Sequence, residues 1–424
     1  MTKFREHPNY DTIVSWGKLI SITGSAQIIV QAVGFASGIL IIRLLPIQEY
    51  AFYTIANTML GTMTVLADGG ITTGVMAQGG KVWQDKVQMG VVLATGLDLR
   101  RKFAIVSLLV SVPILFYLLV HNGASWITSV LIVLALIPAF YAALSDSLLE
   151  IVPKLHQTIL PLQKNQVGVS LGRLLLTALT MFVFPWAFLG VLAGGIPRIW
   201  GNVQLRKLSY ELADKYQLPA REVRLEILSL VKKIMPTSIY YCVSSQITIW
   251  LISIFGNTNS LAQLGALGRI GVLLSVLLTI VVTLIVPRFA KLPNDKKLVS
   301  KRFFQIIGFL VIVSSLIVFI VYLFPIPILF LLGDAYKGLP FELLLSIISS
   351  CIGLLAGIVF FLNSARGWAM SPFLMITINL VSIIVLASVL DLSNLKGALY
   401  FNIWLSCISF VQLSLFCLYK IIKL

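Results

Sequence analysis

Apolar runs of roughly twenty residues, separated by short polar or charged interruptions, recur along the whole chain. A helix needs about 20 apolar residues to cross the hydrocarbon core of a bilayer. Cutting the runs at charged or turn-rich interruptions predicts twelve spans, at roughly 20–42, 50–78, 103–120, 126–149, 167–184, 186–203, 236–255, 264–287, 303–324, 342–362, 373–390 and 396–419. The second is the longest, and it contains the polar stretch "VLADGGITTGVMAQGGK", Val65 to Lys81. Ended instead at Leu66, it would make Asp68-Gly69-Gly70 a turn at the membrane surface. The first residues, "MTKFREHPNYD", are polar, and Tyr10 to Lys18 remain mixed. This segment has no apolar core with a small-residue cleavage site, so insertion through the first span is expected.

Composition sharpens the picture. Of 424 residues, 58% are hydrophobic and 11% charged, with a mean hydropathy of +0.97. Soluble domains are about 25% charged, so the fold class expected is an all-α polytopic membrane protein with about 12 transmembrane helices and no soluble catalytic domain. Basic residues are retained on the cytoplasmic side. With both termini inside, 26 of the 32 Lys and Arg residues fall on inner segments: three before the first span, five over 81–102, two at Lys154 and Lys164, seven over 206–233, six over 288–302, then Arg366, Lys420 and Lys423. Arg43, Lys337 and Lys396 fall outside, and Arg173, Arg198 and Arg269 within spans. The charge of +16 is thus a topology signal, and no nucleic-acid partner is expected.

Outward connections such as "HNGAS" and "GNTNSLAQ" are short and leave no room for an outer catalytic domain. The longest inner segment, Gln204 to Pro236, lies almost midway. Val223, Ile227, Leu230 and Ile234 recur there at helical spacing, as in an amphipathic helix on the inner leaflet, or a plain tether between two halves. Internal symmetry is visible across it. "SAQIIV" at Ser25 to Val30 matches "SSQITI" at Ser244 to Ile249, and "SDSLLE" at the end of span four aligns with "NSARGW" at the end of span ten, placing Asp146 opposite Asn363. The expected organisation is a six-helix lobe over 1–203, a cytoplasmic linker over 204–235 and a second six-helix lobe over 236–424.

Enzyme chemistry finds few footholds. His7, His121 and His156 lie outside the spans without partners at ligand spacing, so no metal site is expected. Cys242, Cys351, Cys407 and Cys417 are isolated within spans and read as small hydrophobes. "GVMAQGGK" lacks the glycine and hydroxyl of a phosphate loop. Gly34/Gly38, Gly70/Gly74, Gly190/Gly194 and Gly353/Gly357 have the spacing that permits close helix approach. What remains are polar groups inside spans, where a charge near the bilayer centre costs roughly 2.5–3.5 kcal/mol. Asp68, Asp146, Glu150, Arg173, Arg198 and Arg269 should therefore face protein or water. Gln27/Gln31 and Thr54/Thr58 share helix faces. Glu150 and Arg198 could snorkel and Asp68 could pair with Arg173; the depth of Asp68, Arg173 and Arg269 favours a cavity.

Further residues carry a family likeness. "ILIIRLLPIQEYAFYTIANTML" across spans one and two, "LADGG", "LGALGRIGVLLSVLLTIVVTLIVPRFAKL" and "LFLLGDAYKG" resemble the polysaccharide transporter family, Wzx-type flippases above all, within the multidrug/oligosaccharidyl-lipid/polysaccharide exporter (MOP) superfamily. The resemblance implies a MATE-like fold of two six-helix lobes in the bacterial cytoplasmic membrane. It implies alternating exposure of a lipid-linked oligosaccharide, usually on undecaprenyl pyrophosphate, for surface polysaccharide, capsule or O-antigen synthesis. Such a substrate needs arginines for phosphates and amides or hydroxyls for sugars. The candidate cavity set is Asp68, Asp146, Arg173, Arg198, Arg269, Gln27, Gln31, Asn57, Ser245 and Gln246. No cofactor is expected beyond coupling to an H+ or Na+ gradient, for which Asp68 is a candidate; glycan-polymerising or assembly proteins are candidate partners. The competing readings are a cation-coupled drug exporter, against which residues 19–42 lack an acid, a membrane glycan polymerase or ligase, and an envelope scaffold.

Overall fold

Helices start where short polar side chains can cap them. In the computed structural model, Asp85 Oδ1 accepts the amides of Val87 and Gln88 at 2.9 and 3.1 Å and opens one long helix. Ser125, Asn257, Asp295 and Asn394 open four others in the same way. The structure describes residues 10–290, 292–368 and 370–424. Lys3, Arg5, His7 and Lys291 lie outside them. Among the described residues there is no strand.

The helices are α1 (Tyr10–Leu44), α2 (Ile47–Asp68), α3 (Ile71–Val82), α4 (Lys86–His121), α5 (Trp126–Leu149), α6 (Ile151–Leu155), α7 (Ile159–Val183), α8 (Ala187–Leu212), α9 (Arg221–Phe255), α10 (Thr258–Gly271), α11 (Leu274–Leu284), α12 (Val286–Ala290), α13 (Lys296–Leu323), α14 (Pro325–Leu332), α15 (Pro340–Ala365), α16 (Pro372–Val389) and α17 (Leu395–Ile422). Every predicted span is occupied by helix. Among the described residues, ten stretches are both long and apolar enough to cross a membrane, and α2 and α8 are the long helices left out. These two carry the polar residues that form the site described below. The chain is a multi-pass, all-α membrane protein.

Two compact units divide at Val243 and Ser244. In the first, α5 packs on α8, α4 and α2, while α7 packs on α1 and α8. In the second, α15 packs on α17, α13 and α11, while α16 packs on α17. Three of these pairings, α5 with α8, α5 with α4 and α7 with α8, correspond to α15 with α17, α15 with α13 and α16 with α17. Asp85 and Asp295 cap the corresponding helices α4 and α13. Asn363, aligned with Asp146, donates to the Leu413 carbonyl of α17 at 3.2 Å.

The second span is not one helix. It breaks at Gly69 (φ 51°) and Gly70 (φ 97°), both left-handed, a conformation that excludes most side chains. The Asp68 carboxylate stabilises the break by accepting from Thr72 N at 3.1 Å, Thr72 Oγ1 at 2.6 Å and Gly70 N at 3.3 Å. At ~1.5 Å per residue, α2 is about 33 Å long and can span the membrane, whereas α3 reaches only about 18 Å. The alternative ending near Leu66 is therefore close to what the fold adopts. The second half breaks at the matching place, between Leu284 and Val286.

The midway segment also differs from a surface-lying helix. Residues 204–212 continue α8, and 221–235 belong to α9, which runs without interruption into span seven. Ile227 and Val231 are buried in the core of the first unit with Ile71, Val75, Leu93 and Leu148. The face read as lipid-seeking is satisfied by protein. Polar ties hold it there: Arg224 to Asp98 at 2.7 Å, Lys81 to Glu226 at 3.2 Å, and the Ala220 amide to Thr95 Oγ1 at 3.0 Å. In the intervening loop, hydrogen bonds from the Gln217 side chain and the Tyr216 amide hold the Asp214 carboxyl below the usual carboxylate range.

Of the four glycine pairs, only Gly70/Gly74 marks a close approach. A Cβ on Gly74 would lie 2.8 Å from Ile227 Cγ2, whereas Gly34 has open space and Gly353 and Gly357 have ordinary clearance. The tighter crossing of α5 and α8 depends on Gly195, whose Cβ would lie 2.9 Å from the Ala139 amide nitrogen. Three of the four cysteines are buried, and all are free. Gly74→Leu should separate α3 from α9 and destabilise the protein by about 1–3 kcal/mol. A thermal-melting comparison in detergent against Gly80→Leu, which enters open space, checks this: equal loss in both variants would contradict the close-packing account.

Candidate functional site

A helix advances about 100° per residue, so consecutive side chains reach different neighbours. The last turns of α5, residues 144–150 (LSDSLLE), exploit this. Ser145 Oγ and Asp146 Oδ1 each accept from Asn202 Nδ2 of α8 at 2.6 Å. Asp146 Oδ2 accepts from Arg198 Nε at 2.8 Å. Asn202 Oδ1 in turn accepts from Arg206 Nε at 2.9 Å. The Leu149 carbonyl accepts from Ser209 Oγ at 2.8 Å. On another side, Ser147 Oγ and the Leu144 carbonyl accept from Arg100 Nη1 of α4, at 2.8 and 3.1 Å. Toward α7, Glu150 Oε1 accepts from Gln166 Nε2 at 3.2 Å, and its other oxygen pairs with Lys154 at 2.7 Å.

Arg100 binds this turn to the break in the second span. Its Nη2 meets Asp68 Oδ1 at 2.5 Å. Arg100 is 4% exposed, so its charge sits in a low-dielectric environment. Breaking a buried pair from one side typically costs about 3–5 kcal/mol, because it strands the remaining charge. The sequence places Asp68 at a cavity, with pairing to Arg173 as the alternative; its ion-pair partner is instead Arg100. The count of charges had assigned Arg100 to a loop with Arg101 and Lys102. A signal was available. Gly96, Arg100, Ala104, Ser107 and Ser111 are all buried and recur at helical spacing, placing Arg100 on the packed face of α4 and its neighbours off it.

The candidate residues distribute as follows. Asp146 and Arg198 are brought together, so neutralisation by Asp146 replaces snorkelling as the reason Arg198 is tolerated, and Glu150 is paired with Lys154. Gln27 of α1 reaches the same end through Gln166, at 3.1 Å. Gln31 and Asn57 are exposed on α1 and α2. Ser245, Gln246 and Arg269 belong to the second unit, Ser245 exposed and the other two half-buried. Thr248, one helical turn from Ser245, donates to Asn402 Oδ1 at 2.6 Å.

Arg173 is different. It lies near the middle of α7, half-buried, beside Gly194 of α8. Its Nη2 lies 3.5 Å from Tyr53 Oη, a marginal contact, and its Nε is buried without a hydrogen-bond partner. Among the described residues no carboxylate pairs with it. About ten residues, or roughly 15 Å of helix, separate it from the C-terminal end of α7, beyond the reach of its side chain. Among the described residues of the first unit, Arg100, Arg198 and Arg224 are each paired with an aspartate, whereas Arg173 lies deep in α7 without such a partner. Among the described residues no three His, Cys, Asp or Glu side chains cluster in a metal-binding arrangement.

No family model matches the sequence, and no curated protein is significantly similar to it. Solved structures share the fold. A multidrug resistance MATE family transporter of the MOP superfamily, in an inward-facing conformation, aligns with a TM-score of 0.71 over 93% of this chain and 96% of its own, at 14% identity. The lipid II flippase MurJ, in an inward closed conformation, aligns with a TM-score of 0.71 over 95% and 87%, again at 14%. A MATE family transporter in an outward-facing conformation reaches 0.60 over 97% and 96%, at 12%. The chain has the MATE-like fold.

Asp68→Asn and Arg100→Gln should each lower the amount of folded protein in the membrane and its melting temperature in detergent. The double variant should lose less than the two losses added together, because no charge is stranded. Asp68→Asn protein at normal level and stability would contradict this structural role.

Proposed function

We propose that the protein translocates a lipid-linked oligosaccharide, carried on an undecaprenyl-type pyrophosphate, across the bacterial cytoplasmic membrane by alternating access, with both termini on the cytoplasmic side. The observation that carries this reading is Arg173. A mid-helix guanidinium with an unpartnered Nε and no carboxylate beside it is a standing demand for an anion. A pyrophosphate meets that demand with several acceptor oxygens, and a guanidinium can engage two of them at once. The exposed amides of Gln27, Gln31 and Asn57 offer the donors and acceptors that sugar hydroxyls require once they leave water.

Export of cationic drugs is a weaker match. A cation needs an available carboxylate, and the deep acids of the first unit, Asp68 and Asp146, are each bound to an arginine. No chemical conversion is invoked: the role assigned to Arg173 is binding, and the protein acts as a carrier. The fold it shares with a lipid II flippase and with MATE transporters supports transport at the level of architecture.

Deleting the gene and measuring lipid-linked oligosaccharide by leaflet, with a probe reaching only one face of inner-membrane vesicles, tests the proposal. Intact glycan should accumulate on the cytoplasmic face and be cleared by the wild-type gene. Arg173→Gln should fail to clear it at normal protein level, and Arg173→Lys, which keeps charge but not the fork, should restore it only in part. Normal translocation with altered efflux of cationic dyes would overturn the reading in favour of drug export. Repeating the assay with proton or sodium gradients collapsed assigns the coupling ion.

A further inference from the structure

A second basic feature of the first unit lies apart from Arg173. Between the first half of α4 and the last turns of α5 and α8, a small cleft of about 30 Å³ is lined by Arg100, Arg101, Tyr141, Ser145 and Arg206. Three arginines converge on a cleft that admits about one or two oxygen-sized groups, such as the oxygens of a phosphate whose remainder stays at the mouth, and that is too small for a sugar. Their charges are not equally spent. Arg100 is paired with Asp68, yet its Nε is buried without a partner. Arg206 donates to Asn202 and Ser145, both neutral. Arg101 forms no ion pair among the described residues and is exposed. The nearby carboxylates are committed elsewhere: Asp146 to Arg198, and Asp98 to Arg224 and Lys102. The cleft therefore carries a surplus of positive charge and fixed donors from three helices.

Its surroundings indicate the rest of the ligand. From Arg101, Ile105 and Leu109 continue along one face of α4; from Tyr141, Ile137 and Leu134 continue along one face of α5. All five of these apolar or amphipathic side chains, Ile105, Leu109, Tyr141, Ile137 and Leu134, are exposed. Two apolar stripes thus lead from the cationic cleft along membrane-spanning helices. A free oxyanion would use only the cleft, whereas a phospholipid would use both parts, with its phosphate among the arginines and an acyl chain along the stripes.

We propose that this cleft binds the phosphate headgroup of an anionic membrane phospholipid, at a site separate from the transported substrate. The surface charge of a membrane leaflet contributes about 1 kcal/mol per arginine, equivalent to about fivefold in affinity. Native mass spectrometry of the full-length protein, with phosphatidylglycerol or phosphatidylcholine titrated into detergent, tests the site. The wild type should retain one phosphatidylglycerol in preference to phosphatidylcholine. Arg101→Gln, at a side chain that makes no ion pair, should weaken that binding about fivefold, and Arg101→Gln with Arg206→Gln about 25-fold. Lys207→Gln with Lys215→Gln removes the same charge from the surface nearby and should leave it unchanged. Equal loss in that control, or no loss in Arg101→Gln, would overturn the proposal. Inorganic phosphate at millimolar concentration displacing the lipid without preference between lipids would identify a free-anion site instead, and would likewise overturn it.

Discussion

A charge taken out of water must find its counter-charge inside the fold, and the pairing of Asp68 with Arg100 is where this protein meets that constraint most severely. The pair joins α2 to α4. Arg100 extends the connection to Ser147 and the Leu144 carbonyl of α5, while Asp68 organises the backbone break that starts α3. Once α3 turns away at Gly69 and Gly70, it presents Gly74 to Ile227, and α9 can dock against the first unit. An ion pair of this kind adds little net stability compared with an apolar packing of similar volume; its effect is to make one arrangement of helices far less costly than the others.

The rest of the polar collar follows the same logic. Seven consecutive residues at the end of α5 are surrounded by α3, α4, α7 and α8, and their polar groups are distributed by helical geometry. Asp146 draws Arg198 and Asn202, Glu150 draws Gln166 and Lys154, and Ser147 draws Arg100. The two helices least apolar in the hydropathy profile, α2 and α8, are the ones whose polar residues find partners here. In the second unit α15 pairs with α17 and α13 as α5 does with α8 and α4, but Asn363 takes the place of Asp146 and its side chain donates to a carbonyl.

Against that background Arg173 stands apart as a mid-helix arginine whose Nε is buried without a partner. Arg100 and Arg198 are explained by their carboxylates; Arg173 has none. Its position at mid-helix, with an unused donor, separates binding chemistry from structural chemistry within one bundle. The cleft at Arg101 and Arg206 makes the same distinction at the membrane surface, where surplus charge meets exposed apolar stripes. Arginine thus serves a structural end in this unit, pairing acids that shape the backbone, and the two further ends proposed above are those of arginines without a carboxylate beside them.

Hydrophobic run length by itself determined the class of the protein and the approximate places of its long helices, because the need to satisfy backbone hydrogen bonds in lipid is local and length-bound. It also identified Asp68, Asp146, Arg173 and Arg198 as residues requiring partners or water. Tertiary structure decided which partners. Asp68 and Arg100 are 32 residues apart, and Asp146 and Arg198 are 52 apart; nothing in a local window distinguishes these pairings from Asp68 with Arg173. The break at Gly69 and Gly70 was visible as a possibility, but the choice between a continuous span and a turn rested on where Arg100 could reach. Likewise, the apolar face of residues 223–234 fitted a lipid surface and a protein core equally well until α3 was in place. Transfer from water to an apolar phase is non-directional, so the sequence fixes that a face is buried, and packing alone determines what buries it.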